Sequence, residues 1–121
     1  MEIPFKLEEG QHHFTYVYVM DKPGAGGAHH HYVIKYADKS KQEVLATILF
    51  QNGPVKEEGV NGIFIEDLLN ICAHRLECFQ AGPFACTENG EALDGVYQAI
   101  KWLNKRTASR QSRGVEGTNK V

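Results

Sequence analysis

The spacing of apolar residues changes near the middle of the chain, and this change predicts the fold class. Three segments in the first half alternate apolar and polar residues and are rich in aromatic and β-branched side chains, which is typical of half-buried strands. They span residues 12–20, 29–37 and 43–51. A glycine-rich connection and a short polar turn separate them, so the sequence predicts an antiparallel meander.

Beyond Gly62 the apolar residues recur at helical spacing. The first predicted helix has the seam Ile65, Leu68, Leu69, Cys72, Leu76 and Phe79, and Gly82 and Pro83 end it. The second begins near Thr87 or Glu88, runs past Arg106 and has the seam Leu93, Val96, Ala99, Ile100 and Leu103. We therefore predict an α+β fold: an N-terminal antiparallel β-sheet over residues 1–60, then a C-terminal antiparallel two-helix hairpin over residues 61–121, in one compact unit.

Composition narrows the class of protein. The chain has 121 residues, of which 42% are hydrophobic and 23% charged, as in soluble globular domains. No apolar run approaches the roughly 20 residues that span a bilayer, so we expect no membrane partner and a cytoplasmic location. Three cysteines without a CxxC motif make neither a disulfide framework nor a zinc set, and we expect them to be small buried groups on the helices.

Charge is unevenly distributed along the chain. Residues 101–121 carry six cations against Glu116 alone, whereas the net charge of the whole chain is −2. The remaining hundred residues are therefore acidic. A basic end on an acidic body indicates an anionic partner at that end, without saying which anion.

Three arginines near the C-terminus form the clearest pattern with a chemical meaning. Arg106, Arg110 and Arg113 fall within about 60° of one another on a helix surface and continue the apolar seam. Guanidinium forks bind phosphate and carboxylate oxygens bidentately, so the stripe is a candidate anion site. The alternative is that these cations offset the dipole at the helix C-terminus.

Phe79 and Asn89 flank the predicted turn between the helices. An aromatic ring and a side-chain amide together are a common way to hold a base, by stacking and by hydrogen bonds to its edge. The alternative is structural: Phe79 is core and Asn89 belongs to the first turn of a helix.

Two other motifs predict no site. A zinc site needs about four converging ligands, and His29 to His31 have only His12 and His13 as further candidates on the neighbouring strand. The "GAGGA" loop lacks the GK[ST] ending of a phosphate loop and precedes a strand, so its glycines are predicted to let the chain reverse. No nucleophile motif is present either, so the sequence predicts no enzyme, no metal and no cofactor.

Two stretches carry a family resemblance. "FACTENGEAL" and "WLNKRTASRQSRGVEGT" resemble the hairpin domain shared by two sets of phage immune-evasion proteins, one blocking the Thoeris defence and the other blocking CBASS. "FQNGPVKEEGVNG" and "DLLNICAHRLECFQAGPFAC" are more similar to the Thoeris-inhibiting set. The resemblance covers residues 43–121 and is only topological for residues 1–42.

The resemblance implies a sponge. Such proteins sequester, unaltered, a glycocyclic ADP-ribose isomer made by a TIR enzyme, and some also bind cyclic di- or trinucleotides of CBASS at separate pockets. It implies that Phe79 stacks on the adenine, that Asn89 makes a polar contact, and that Arg106 and Arg110 hold the phosphates, with Arg113 as a further candidate. It also implies a homodimer that assembles to a hexamer in the cytoplasm of the infected bacterial host.

Three other functions stay open from the sequence. A hydrolase of the same signal would need a water-activating carboxylate or histidine near Arg106 and Arg110. A small nucleic-acid-binding module would use the basic end and show a steep salt dependence, although the acidic remainder disfavours this, and we expect no nucleic-acid partner. A third is an oligomeric scaffold with an ion-paired C-terminus.

Overall fold

A computed structural model describes residues 3–5 and 13–121, which form an antiparallel sheet followed by two long helices. The predicted α+β class is thereby confirmed. The four strands are β1 (Ile3–Phe5), β2 (Thr15–Val19), β3 (His31–Tyr36) and β4 (Val44–Leu49), and they lie in the sheet in chain order. The helices are α1 (Val55–Glu58), α2 (Ile65–Gln80) and α3 (Thr87–Ser112).

The chain divides into two compact units, which we call the β-unit (Met1–Ile63) and the hairpin unit (Phe64–Val121). In the β-unit, Tyr18 pairs with Val33 across β2 and β3, and both side chains are buried. All neighbouring strands are antiparallel, and the register shifts between Ile34 and Lys35, where β3 meets β4. The sequence did not predict β1, because it has only three residues and contains Pro4, which sheets tolerate at an edge.

The glycine-rich connection between β2 and β3 is held by hydrogen bonds of His30. The backbone N–H of His30 donates to Asp21 Oδ2 over 3.0 Å, and its ring nitrogen Nε2 lies 3.2 Å from the carbonyl oxygen of Ala25. A Cβ on Gly24 would stand 2.9 Å from the His30 ring, so this close approach requires glycine. The loop reverses the chain between two antiparallel strands, as predicted.

The segment after β4 is braced by amide side chains. Gln51 Nε2 donates to the carbonyl oxygens of Gly53 and Gly59, and the backbone of Asn52 exchanges hydrogen bonds with the Asn61 side chain. Gly62 lies against the backbone of Phe50, where a Cβ would stand only 2.4 Å from the carbonyl carbon. This segment is therefore a closed loop rather than a loose linker.

In the hairpin unit, α2 and α3 pack against each other along a narrow stripe. Ala73 is the buried residue of α2, with Leu69 and Leu76 half-buried beside it. Cys72, Cys78 and Cys86 are all exposed, so the expectation that they are buried was wrong. The reason is that a pair of helices encloses only the side chains on the line of contact, whereas these sulfurs lie off that line.

Both ends of the long helices carry local signals. The Asp67 carboxylate accepts a hydrogen bond of 2.8 Å from the backbone N–H of Phe64 and so caps α2. At the other end of the unit, Gly114 has φ +71° just after α3. The N–H groups of Gly114 and Val115 donate to the carbonyl oxygens of Gln111 and Arg110, which is a Schellman ending.

Candidate ligand-binding site

The turn between α2 and α3 brings Phe79 and Asn89 to the same end of the hairpin. Gln80 fixes this turn: its Nε2 donates to the carbonyl oxygen of Cys86 over 2.9 Å, and its Oε1 accepts from the Cys86 N–H over 3.0 Å. The last residue of α2 is thereby tied to the residue that precedes α3. Because both backbone groups of Cys86 are held, the two candidate residues keep fixed positions.

Phe79 presents an aromatic ring of which more than a third is exposed. The Arg75 guanidinium carbon lies 5.1 Å from the ring centroid, within cation–π distance. One face of the ring is thus backed by a cation one helical turn earlier. Phe79 is therefore not enclosed in the core of a single chain, and a planar group can stack on its ring.

Asn89 lies in the first turn of α3. Its backbone N–H donates to the Cys86 sulfur over 3.4 Å, and its Nδ2 donates to the carbonyl oxygen of Phe84 at 3.4 Å. The second bond occupies one of the two N–H groups of Nδ2 and orients the side chain. The Oδ1 atom stays available, within the part of the chain that the structure describes, to accept from the exocyclic amine of a base.

The three arginines at the far end of α3 are in different environments. Arg110 is half-buried, and its Nη2 donates to the carbonyl oxygens of Val115 and Thr118 at 3.1 and 3.2 Å. Arg113 Nη1 donates to the Val121 carbonyl oxygen over 2.8 Å. Arg106 is exposed and makes no hydrogen bond or ion pair with any described residue.

Arg110 and Arg113 therefore agree in part with the alternative that these cations act at the C-terminus of the helix, because they hold carbonyl oxygens beyond the helix end. A guanidinium has five N–H donors in a fixed fork, so Arg110 keeps donors beyond those on Nη2. Arg106 keeps all of its donors for an anion. Of the three arginines, Arg106 is thus the uncommitted cation, whereas Arg110 and Arg113 hold the residues that follow α3.

The five candidate residues do not converge within one chain. Asn89 and Arg106 are seventeen residues apart on the same helix, which corresponds to about 26 Å along its axis. Phe79 and Asn89 lie at the turn, whereas the arginines lie at the opposite end of α3. That separation exceeds the span from a purine ring to the phosphates of the same nucleotide, even with an extended arginine side chain.

Three residues at the turn escaped the sequence analysis. Gln80 braces the turn and Arg75 backs the Phe79 ring, while Phe84 adds a second aromatic side chain that is 73% exposed. Arg75 stands four residues before Phe79, and this helical spacing could have found it. The role of Gln80 depends on the geometry of the six-residue turn, which the spacing of apolar residues does not predict.

A single hydrogen bond between side chains links the two helices on their exposed side. The Tyr97 hydroxyl donates to a Glu77 carboxylate oxygen. This bond is the main cause of the raised pKa of the Tyr97 phenol, with smaller contributions from desolvation and from the charges of Glu77 and Asp94. The bond therefore favours the protonated form of the Tyr97 phenol.

The histidine-rich segment does not form a metal site in the described structure. Nowhere in residues 3–5 and 13–121 do three or more His, Cys, Asp or Glu side chains gather as metal ligands. His12 lies outside the described residues, and His13 is exposed with φ 55°. None of the helices in that same part of the chain is both long enough and apolar enough to cross a membrane.

Comparison with known proteins identifies the family. The model of the "Acb2/Tad1, hairpin domain" family matches residues 42–108, more than half of the chain. "Thoeris anti-defense 1" of Bacillus phage SBSphiJ7 is 52% identical over 75 residues, which are 62% of this chain and 53% of that protein, so the match spans about half of that relative's length. Phe79, Asn89 and Arg106 fall within the matched residues, whereas Arg110 and Arg113 follow them. The chain belongs to the family of Acb2/Tad1 hairpin-domain proteins.

Proposed function

We propose that this protein is a phage-encoded sponge that binds and sequesters, without cleaving it, the TIR-derived glycocyclic ADP-ribose signal of the Thoeris system in the host cytoplasm. Family membership and the name of the phage relative support the anti-Thoeris role. The observation that carries the binding mode is a pair of exposed groups: an aromatic ring at the turn and an uncommitted guanidinium at the far end of α3.

Each side chain has a distinct task in this proposal. The free face of Phe79 stacks on the adenine, since base–aromatic stacking contributes about 1–3 kcal/mol. Asn89 Oδ1 accepts from the adenine amine. Arg106 and Arg110 donate to the pyrophosphate, and Arg113 extends the same stripe. Charge-assisted bonds of this kind contribute about 1.5–3 kcal/mol each.

The site in our proposal is shared between two chains. Because about 26 Å separates the turn from Arg106 along α3, an antiparallel second copy is needed to set its arginines beside the first copy's Phe79. The exposed apolar side chains of the hairpin unit support such an assembly, since Ile71 and Trp102 are 65% and 59% exposed. A homodimer that assembles to a hexamer is the state we propose.

The proposed residues bind but do not cleave. An arginine side chain stays protonated and an asparagine amide does not titrate, so neither acts as a general base. The set therefore supplies stacking and hydrogen-bond donors without a group that activates water. We propose sequestration rather than hydrolysis on this chemistry.

The experiment is a capture-and-release assay. The protein is incubated with the TIR product, free ligand is removed by filtration, and the protein is heat-denatured. We expect the intact signal to reappear in solution in an amount that matches the number of binding sites. The Phe79→Ala control should remove no more signal from the filtrate than buffer alone does. A cleaved product would show a hydrolase, and no recovered nucleotide of any kind would refute sequestration.

The same assay addresses two further possibilities. Cyclic di- and trinucleotides of the CBASS type are additional arms, and we propose that they bind at sites separate from Phe79. Those ligands should therefore be captured equally by the Phe79→Ala variant. A long oligonucleotide captured with a steep salt dependence would instead indicate a nucleic-acid-binding module.

A further inference from the structure

The helix α3 separates its charged side chains by sign. Residues 87–99 carry Glu88, Glu91 and Asp94 and no cation, whereas residues 100–112 carry four cations and no anion: Lys101, Lys105, Arg106 and Arg110. Only Glu88 and Arg110 lie in the terminal turns, where the helix dipole favours charges of these signs. The dipole therefore does not account for the other five charges.

These charges have no opposite charge to pair with along the helix. Opposite charges three or four residues apart stabilise a helix, and like charges at that spacing destabilise it. No anion of α3 stands at that spacing from a cation, whereas Glu91 and Asp94 form a like-charged pair, as do Lys101 and Lys105. Among the described residues, none of the charged side chains of α3 takes part in an ion pair. The pattern therefore favours opposite charges supplied by another molecule.

Five of the side chains of α3 form one exposed face of the helix: Glu91, Asp94, Lys101, Trp102 and Lys105. At 100° per residue they fall within about 100° around the helix axis. Trp102 is 59% exposed, and Lys105 Nζ lies 4.8 Å from the centroid of its ring. We call this surface the charged face. It joins an acidic half, a basic half and a large aromatic side chain.

The charged face lies apart from the candidate ligand-binding residues of α3. The half-buried side chains Leu93, Val96 and Leu103 are on the opposite side of the helix. Asn89 and Arg110 are also half-buried and lie about 140–160° from the centre of the charged face. A contact through the charged face therefore leaves these two residues uncovered.

From this pattern we propose that the charged face binds the same face of a second copy of the chain, with the two α3 helices antiparallel. When the helices overlap over their whole length, the two-fold axis lies level with the midpoint between residues 99 and 100. Asp94 of each copy is then level with Lys105 of the other. The acidic half of each helix faces the basic half of its neighbour, and a Trp102 side chain from each copy flanks the axis.

A second copy fits the charged face better than a partner of one charge sign does. A nucleic acid or an acidic peptide would be attracted by the basic half and repelled by the acidic half. An antiparallel copy matches both halves at once, and it does so in the register that overlaps the whole of α3. The contact does not depend on the ligand of the proposed function.

The test measures self-association of the full chain by sedimentation equilibrium. Asp94→Lys and Lys105→Asp should each raise the dissociation constant by about tenfold or more, because every symmetric contact then holds two like-charged pairs. Lys56→Asp makes the same charge change at an exposed lysine of α1 and should leave the constant unchanged. Circular dichroism checks that the helices are kept, and the milder Asp94→Asn and Lys105→Gln variants should shift the constant in the same direction by less.

Mixing the two reversed variants gives the sharper readout. In an equal mixture of Asp94→Lys and Lys105→Asp proteins, the substituted lysine of one copy faces the substituted aspartate of the other, and the remaining Lys105 faces the remaining Asp94. We expect the mixture to associate nearly as tightly as the parent protein. The two positions are about 16.5 Å apart along one helix, so this restoration requires two chains.

The outcomes separate this contact from the shared ligand site. A parent protein that stays monomeric would overturn both proposals together. Reversed variants that associate as the parent does would overturn only the contact through the charged face. So would a mixture that associates no better than the variants do alone.

Discussion

The β-unit and the hairpin unit bury their apolar side chains to very different extents. Within the described residues, the β-unit buries Tyr18, Val19 and Val33, while the hairpin unit buries Ala73 alone. The β-unit also closes its loops with side-chain hydrogen bonds, as at Gln51. Both units expose large apolar side chains, such as Leu45, Leu49 and Val60 in the β-unit. Those of the hairpin unit lie on both helices and at its turn: Ile71, Phe79, Phe84, Tyr97 and Trp102.

This difference indicates why the candidate ligand-binding residues lie in the hairpin unit. Stability of a small unit comes from the apolar area that it removes from water, and the hairpin unit removes little by itself. The surfaces that it leaves exposed are also those that hold the candidate ligand-binding residues. A second copy would bury the apolar surface of the hairpin unit and complete the proposed site at the same time.

The largest expected effect concerns ligand binding in the hairpin unit. Arg106→Ala should weaken binding of the cyclic ADP-ribose signal by roughly 10- to 150-fold, because one charge-assisted interaction contributes about 1.5–3 kcal/mol. Calorimetric titration measures the change. Lys105→Ala, which removes the same charge from the neighbouring residue, is the matched control and should bind nearly as the parent protein does. Equal losses in both variants would indicate a general charge effect and not a site.

A change in the β-unit should act on stability instead. Gly62→Ala places a Cβ within 2.4 Å of the Phe50 backbone, so we expect a loss of about 1–3 kcal/mol in the free energy of unfolding. Gly26→Ala, at φ +71° but with no atom within 4 Å of its Cβ, is the control for backbone strain alone and should cost about 1 kcal/mol. Chemical denaturation measures both. A Gly62→Ala protein as stable as the parent would contradict the close packing of the loop.

Smaller and opposite effects should follow from pH. The pKa of Asp21 is lowered from its ordinary 3.8: burial raises it, but backbone hydrogen bonds from His30 and His31 and the imidazole charges outweigh burial. Stability from Asp21 is therefore present above pH 3.8 and lost as the pH falls through the lowered pKa. The pKa of Tyr97 is raised from 10.0, chiefly by its bond to Glu77. Stability from Tyr97 is present below pH 10.0 and lost as the pH rises through the raised pKa.

Two kinds of intrinsic chromophore report the alkaline and the acid dependence of stability separately. Trp102 is the only tryptophan and lies in the hairpin unit, whereas four of the five tyrosines lie in the β-unit. We expect Tyr97→Phe to flatten the alkaline dependence of Trp102 fluorescence, and Asp21→Asn to flatten the acid dependence of the tyrosine near-ultraviolet circular dichroism. If Tyr97→Phe instead flattened the acid dependence and Asp21→Asn the alkaline dependence, the assignment of the two pH effects to these residues would be contradicted.

Much of the fold could be predicted from the sequence because the spacing of its apolar residues is regular and because glycine and proline residues separate the elements clearly. The switch from alternating to helical spacing located three strands and both long helices. The short strand β1 could not be found, since a three-residue segment with Pro4 has too little pattern. The exposed cysteines were missed because helical spacing defines a seam but not its width.

The candidate site was less accessible to sequence reasoning. Spacing brought the three arginines onto one face, but it could not show that Arg110 holds the tail at Val115 and Thr118. Nor could it show the backing of Phe79 by Arg75, which depends on the side-chain conformation. The separation along α3 follows from helix length, which the sequence predicted only in part.

The proposed site is shared between two chains, and subunit mixing tests this sharing most directly. The Phe79→Ala and Arg106→Ala proteins should each bind the signal more weakly than the parent protein. An equal mixture of the two is unfolded, refolded together and titrated with the signal. Mixed dimers then contain one site built from an intact Phe79 and an intact Arg106, so about a quarter of the sites should recover parental affinity. A mixture that binds no better than the separate variants would place the complete site within one chain and contradict the account.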